Sequence, residues 1–293
     1  MKSSLWLKRL GLFVASVVML IYVLAPVVWL VSSSLQHEAD ITSIPPHWIP
    51  RPATLASFRA IIDAGMGTVS SDTSFIPSTA QYLLPALRNS LVTGIAVVVL
   101  NLLVSIPAAY AMAKIRFIGR DTSVYFMLAT RVIPDIALVV PFFLFVRKLG
   151  LLDNIGSLII TYLAITVPFS VFMLLSYFEG LPDELDKAAR VDGCSRFAVL
   201  TKVFLPLALP SLVAVVLFSF LTSWNEFLFA LMFTQTSASQ TVPIIVASFT
   251  SDFTTSFSFI NAAGVVAIIP PVIIAVMFER YIVSGLTAGA VKG

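Results

Sequence analysis

Charge is what this sequence has least of. Only 11% of its 293 residues are Asp, Glu, Lys or Arg and 58% are hydrophobic, whereas an ordinary soluble domain carries roughly 25% charged residues. A water-soluble fold is excluded on that balance. Cysteine is nearly absent too. Cys194 stands alone, which rules out an intrachain disulfide and a multi-cysteine zinc site. The two histidines, His37 and His47, lie in a polar stretch without helical metal spacing, so no metal site is expected. No G-x-x-x-x-G-K-[ST] phosphate loop and no G-x-S-x-G nucleophile turn occurs. No apolar run holds a pair of carboxylates at catalytic spacing. The expectation is therefore no catalytic residue, no cofactor on this chain, and no ATP hydrolysis of its own. The net charge of +3 is scattered around apolar runs and forms no stripe able to neutralise phosphates, so nucleic acid is not an expected partner.

What the chain does have is uncharged runs long enough to cross a bilayer, at 10–31, 89–113, 154–178, 203–225 and 253–278. Each meets the roughly 20 apolar residues needed for a helix to span the hydrocarbon core. A sixth crossing is expected over 122–146, interrupted by Arg131 and Asp135. These two are four apart, share a helical face, and are expected to satisfy each other as an ion pair. The reading is an all-α polytopic membrane helix bundle with about six transmembrane helices. Their expected bounds are 10–33, 85–113, 122–146, 155–178, 206–232 and 257–283, within a single domain over 1–293. Residues 1–31 also pair a basic start with an apolar stretch, as a signal peptide does. The apolar run exceeds the usual signal core, and no clear small-x-small cleavage site follows it, so the first helix is expected to stay.

Direction follows from the short loops, because cytoplasmic segments hold an excess of Lys and Arg. With both termini cytoplasmic, the inner segments carry Lys2, Lys8, Arg9, Lys114, Arg116, Arg120, Lys187, Arg190, Arg196, Lys202, Arg280 and Lys292, twelve of the eighteen basic residues. The outer ones carry Arg51, Arg59, Arg147 and Lys148. Outer loops are then 35–82 and 233–255. The first is too polar to span; it is expected to hold a short interfacial helix, with Trp48 at the membrane boundary, and is a candidate docking surface for an external partner.

The inner segment 179–205 is the informative one. Pro182 suits a helix start, and Asp183 and Glu184 favour the positive end of its dipole. The helix should run to about Asp192, with Leu185, Ala188, Ala189 and Asp192 on one face of small residues beside an acid. Gly193 can take the left-handed conformation that stops a helix, and Ser195 can cap the next. Phe197, Leu200 and Phe204 should then face the bundle. Pro206 and Pro210 should bend the entry of the fifth crossing.

This segment resembles the EAA loop of bacterial ABC importer permeases. The matching residues are Lys187-Ala188-Ala189, then Asp192-Gly193, then Val203-Phe204-Leu205-Pro206. Lys187 stands where the family usually has glutamate. The stretches "VIPDIALVVPFF" in the third crossing, "TSWNEFLFAL" at 222–231 and "FERYIVSGLTAGAVKG" at 278–293 are similar to the maltose-type permeases of carbohydrate importers.

The resemblance implies a permease subunit of the bacterial cytoplasmic (inner) membrane that carries a sugar by alternating access. It implies a cytoplasmic ABC ATPase dimer holding ATP and Mg, a second homologous permease completing a heterodimer, and an extracytoplasmic solute-binding protein. ATPase coupling would fall to Leu185, Lys187, Ala188, Ala189, Asp192, Gly193 and Pro206. The tail 284–293, with Gly285, Leu286, Thr287, Ala288 and Gly289, would reach the ATPase. Trp224, Asn225 and Glu226 offer an indole and hydrogen-bonding groups suited to a sugar path, and Glu226 also stands where an outer helix end would fall. The alternative is an ion-coupled secondary transporter acting without an ATPase, with Asp135 and Glu226 as ion ligands.

Overall fold

The computed structural model describes residues 2–45, 47–68, 76–250 and 256–290. Among these no strand occurs; the protein is all-α. Fourteen α-helices follow in order: α1 (Lys2–Ser34), α2 (Glu38–Ile41), α3 (Ala56–Gly65), α4 (Leu83–Lys114), α5 (Arg120–Thr130), α6 (Asp135–Lys148), α7 (Ile155–Glu179), α8 (Asp183–Val191), α9 (Arg196–Val199), α10 (Leu205–Leu207), α11 (Leu209–Asn225), α12 (Leu228–Phe233), α13 (Val242–Ser248) and α14 (Phe257–Ala290). A 3-10 turn (Ser78–Tyr82) precedes α4, and a π turn (Leu200–Phe204) joins α9 to α10.

Four stretches are long and apolar enough to cross a membrane alone: Lys8–Ser34, Ser78–Lys114, Ile155–Glu179 and Phe257–Tyr281. Two bent pairs add a crossing each, α5 with α6 turning by 100° and Arg196–Leu207 with α11 turning by 82°. The second bend falls at Pro206 and Pro210, where the sequence places it. The first corrects the straight crossing expected over 122–146. Pro134 has no N–H to offer the preceding turn and disfavours helical geometry at Ile133, so the ladder stops at Arg131 and restarts at Asp135. A second correction concerns the fifth crossing. Expected to continue to 232, it ends at Asn225, passes through an extended Glu226 (ψ 126°) and resumes as α12.

The chain forms two compact units. In the smaller, 1–84 with 245–268, the apolar window of α1 is unburied while its last turn is anchored. Gln36 donates to the His47 carbonyl (2.8 Å) and Ser32 to that of Trp48 (2.5 Å). Trp48 meets Trp29 edge to face at 4.9 Å. Glu38 accepts from the backbone N–H groups of Phe257 and Ser258 at 3.0 Å and from the Ser256 hydroxyl at 2.6 Å, closing the start of α14. Burial works against the charge on Glu38, yet these hydrogen bonds prevail and hold its carboxyl below its ordinary range.

In the larger, 85–244 with 269–293, α4, α7 and α11 pack through small and polar residues, as membrane helices do where backbones approach. Asn101, fully buried, donates to Ser170 (2.8 Å) and Ser219 (2.5 Å), joining all three helices. Any Cβ at Gly94 would meet the Phe220 ring at 3.0 Å, which shows how near α11 comes to α4.

Candidate functional site

Three places in the larger unit carry the residues singled out by sequence: the α8–α10 segment and the two helix breaks.

The α8–α10 segment is held to the membrane helices by named contacts. Pro182 precedes α8, and Asp183, Glu184 and Asp186 occupy its first turn. Lys114, whose side chain is only 6% exposed at the end of α4, reaches Asp183 at 2.7 Å and the Leu181 carbonyl at 3.1 Å. That hydrogen bond from the ammonium holds the Asp183 carboxyl below its usual range. Tyr110 donates to Asp186 at 2.9 Å. Behind them Tyr110, Phe178 and Phe204 meet edge to face at centroid distances of 5.3 to 6.4 Å, with the Lys114 ammonium 5.5 Å from the Phe204 ring. Gly193 turns the chain with φ +84°, its N–H bonding to the Arg190 carbonyl (3.1 Å) and that of Cys194 to Ala189 (3.0 Å). Ser195 caps α9 by accepting from Ala198 N–H at 3.2 Å.

The single small-residue face expected on α8 divides. Ala189 is buried in the chain's own core and Leu185 half-buried, while Lys187, Ala188, Val191 and Asp192 are exposed. Pro206 is exposed within α10. Phe197 corrects an expectation: it is 75% exposed, and Val199, Leu200 and Phe204 are the residues that enter the core. Val199 lies two residues on, nearly opposite Phe197 around α9, so the rotation that buries Val199 turns Phe197 outward. Gly285, Leu286, Thr287, Ala288 and Gly289 fall within α14, which extends to Ala290 past the expected boundary at 283. Their side chains lie outside the described residues.

At the break after α11, Trp224 is buried and stacked on Phe220 at 5.5 Å. Asn225 is exposed, its amide donating to the Leu221 carbonyl at 3.0 Å. The Glu226 carboxylate is fully engaged by protein. It accepts from the N–H groups of Phe229 (2.8 Å) and Ala230 (3.1 Å) at the start of α12, and from the Tyr162 hydroxyl (2.6 Å) on α7. Glu226 is thus a helix cap fixed from two sides. Of these three residues Asn225 is exposed, Glu226 half-buried and Trp224 buried.

At the break between α5 and α6 the expected Arg131–Asp135 ion pair is absent among the described residues. The backbone turns between them, so they no longer share a helical face. Arg131 instead donates to the Ile165 carbonyl (3.3 Å) and lies 5.5 and 5.9 Å from the rings of Phe169 and Phe218. Sequence reasoning missed this break, although Pro134 after Val132 and Ile133 was a legible signal for it. Among the described residues, no three metal-ligating side chains converge.

Crossings that combine straight and broken helices with a short, pinned connector make a multi-pass membrane helix bundle. Residues 105–287 match the family described as binding-protein-dependent transport system inner membrane component, and the chain belongs to it. It is a permease subunit of an ABC importer in the inner membrane. It is 36% identical over 288 residues to the trehalose/maltose transport system permease protein MalG of Thermococcus litoralis, covering 98% of each chain. It is 34% identical to the sulfoquinovosyl glycerol transport system permease protein SmoH of Agrobacterium fabrum, covering 96% of this chain and 93% of the relative. It is 31% identical to the diacetylchitobiose uptake system permease protein DasC of Streptomyces coelicolor across all of both chains. Among solved structures, a bacterial ABC transporter that imports the acidic polysaccharide alginate has a chain of the same fold, with TM-score 0.74 at 22% identity, covering 94% of this chain and 97% of that one.

Proposed function

We propose that this chain carries a sugar or sugar-like solute across the membrane and is driven by a separate cytoplasmic ATPase dimer docked on α8. The sugar reading is supported by the names of the relatives, which handle trehalose, maltose, sulfoquinovosyl glycerol and diacetylchitobiose. A binding protein presents the solute outside. A second, homologous permease completes the pathway, and ATP and Mg reside on the ATPase. Both termini lie on the cytoplasmic side.

The observation that carries the coupling assignment is the contrast between the two faces of α8. One is fastened to α4 through Lys114–Asp183 and Tyr110–Asp186. The other presents Ala188, Val191 (87% exposed) and, beyond the turn, Phe197. A rigid connector fixed to the spans on one side, and on the other exposing Lys187 and Asp192 beside Ala188 and Val191, passes a partner's rigid-body movement into the spans. Leu185 and Ala189 seat it; Lys187, Ala188 and Asp192 meet the ATPase; Gly193 and Pro206 set the angle between its parts. The tail around Gly285–Gly289 makes a weaker second contact with the ATPase.

Reconstitution with the ATPase, partner permease and binding protein tests this. Ala188→Trp enlarges an exposed residue, so the chain should insert normally while ATPase capture and transport are lost. Gly193→Pro cannot adopt φ +84° and removes a bonded N–H, so it should uncouple ATP hydrolysis from transport. Deleting residues 284–293 should weaken the complex mildly. Normal transport by the two loop variants, or sugar uptake driven by an ion gradient with this chain alone, would sink the assignment.

A further inference from the structure

The break between α5 and α6 leaves an open cavity of about 380 Å³ lined by Thr130, Arg131, Pro134, Asp135, Phe142 and Ile165, among others. That volume falls at the lower end of small-molecule sites. Its depth can be read from α7. Ile165, whose carbonyl Arg131 contacts, lies ten residues into the 25-residue helix Ile155–Glu179. At 1.5 Å per residue that is about 15 Å from one end and about 21 Å from the other, near the middle of the crossing.

Arg131 therefore stands at mid-depth with Asp135 lining the same cavity, and both are exposed on the surface of this chain. A charge facing lipid at the bilayer centre is costly, so such groups face protein or water. Asp135 has no hydrogen bond and no ion pair among the described residues. Of the five donors on Arg131 one is used, by the Ile165 carbonyl. Inside a closed helix bundle such groups would be paired. Left open beside a cavity, they are positioned for a solute that brings its own donors and acceptors. Broken helices at mid-membrane also place unpaired backbone groups at the same point.

We propose that this break is a sugar-binding subsite of the translocation path. Asp135 accepts hydrogen bonds from sugar hydroxyls, Arg131 donates its unused N–H groups to sugar oxygens, and the Phe142 ring covers the apolar C–H face of the sugar. The cation and anion together leave the subsite with no net charge, which suits a neutral polyol and not an ion. The proposal rests on the sugar-import reading above, and it names which residues of this chain meet the cargo.

The test uses the complete transporter in lipid nanodiscs and vesicles, with trehalose, maltose, diacetylchitobiose and sulfoquinovosyl glycerol as probes. Asp135→Asn is isosteric and keeps one acceptor oxygen. It should assemble with the ATPase and lower the maximal import rate about tenfold at saturating binding protein, the cost of one charge-assisted hydrogen bond. Separately, Asp135→Cys in a Cys194→Ser background should react with a water-soluble, membrane-impermeant thiol reagent, and the probe sugar should slow that reaction. Unchanged import by Asp135→Asn alongside active wild type would overturn the subsite and leave the sugar reading standing. Reaction only with lipid-soluble reagents, or with none, would place the residue against lipid or the second permease and overturn it as well. A wild-type complex that imported none of trehalose, maltose, diacetylchitobiose and sulfoquinovosyl glycerol, the solutes its relatives handle, would overturn the functional reading, and the subsite with it.

Discussion

Two of the helix breaks in the larger unit make a natural pair, because each places a carboxylate where a membrane span is interrupted. At Glu226 the interruption is closed: three protein donors converge on one side chain. At Asp135 it is open, with the carboxylate unmatched among the described residues and a cavity beside it. Both follow from local chemistry. Asn225–Glu226 ends one helix and immediately caps the next, so the acid is used by the backbone that follows it. Pro134 ends a helix without supplying a donor, and Asp135 opens α6 with its side chain unused. A break closed by its own chain serves packing. One left open serves something the chain does not contain.

The strongest way to break that comparison is to truncate both acids. Glu226→Ala leaves the Tyr162 hydroxyl and two helix-terminal N–H groups without their acceptor. It should cost about 2–3 kcal/mol of stability, the scale of stranding buried partners, read from denaturant unfolding of the purified subunit in detergent. Asp135→Ala in the same experiment should stay within about 0.5 kcal/mol, as for a side chain with no partner to lose. Equal losses would erase the distinction between a closed and an open break.

A smaller change sharpens it. Tyr162→Phe removes one of the three donors to Glu226 and leaves both backbone N–H groups in place. The expected loss is about 1.5 kcal/mol, the low end for a single hydrogen bond to a charged acceptor. It should be additive to no change at Asp135, since the two breaks share no partner among the described residues. A loss as large as that of Glu226→Ala would mean that Tyr162, and not the cap, holds the break closed.

Much of this was legible before any coordinates. The apolar runs gave the crossings because hydropathy depends only on composition over a window. Pro182, Gly193 and Ser195 gave the start, turn and cap of the α8–α9 connector because each acts on its own backbone neighbours. What failed to read depended on phase or on distant partners. Phe197 fits the i, i+3, i+7 count with Leu200 and Phe204, but burial of Val199, nearly opposite it around α9, turns it outward. The Arg131–Asp135 pair was inferred from an unbroken helix, and Pro134 breaks it. Glu226 reads as a sugar-path group or an outer helix end, but one of its partners is a tyrosine 64 positions away, beyond any local pattern. The sequence signal for its capping role was there in Asn225–Glu226 preceding a short apolar run.

The smallest effect is expected at Asp153, a third carboxylate closed by its own chain but lying outside the spans, between α6 and α7. It sits at φ +57°, a left-handed conformation that aspartate tolerates better than most residues. Its oxygens accept from the N–H groups of Gln235 and Thr236, both at 2.9 Å, from the Thr236 hydroxyl at 2.7 Å, and from Ser239. Burial opposes its charge, but the hydrogen bonds outweigh burial and hold the carboxyl below its ordinary range. Because the folded value is depressed, the stabilisation is complete above the unfolded value of about 3.9 and fades as pH falls through the folded one. Hydrogen exchange at the Gln235 and Thr236 amides, corrected for intrinsic rates, should therefore show constant protection from pH 7 down to about 4 and a decline below that. Asp153→Asn keeps the left-handed turn and one acceptor, and should lower protection at pH 7 only a few-fold, because water reaches this loop and replaces part of what is lost. Protection in the wild type that already declined between pH 7 and 5 would show a carboxyl raised and not lowered. The donors at 235–239 would then owe their order to something other than this acid.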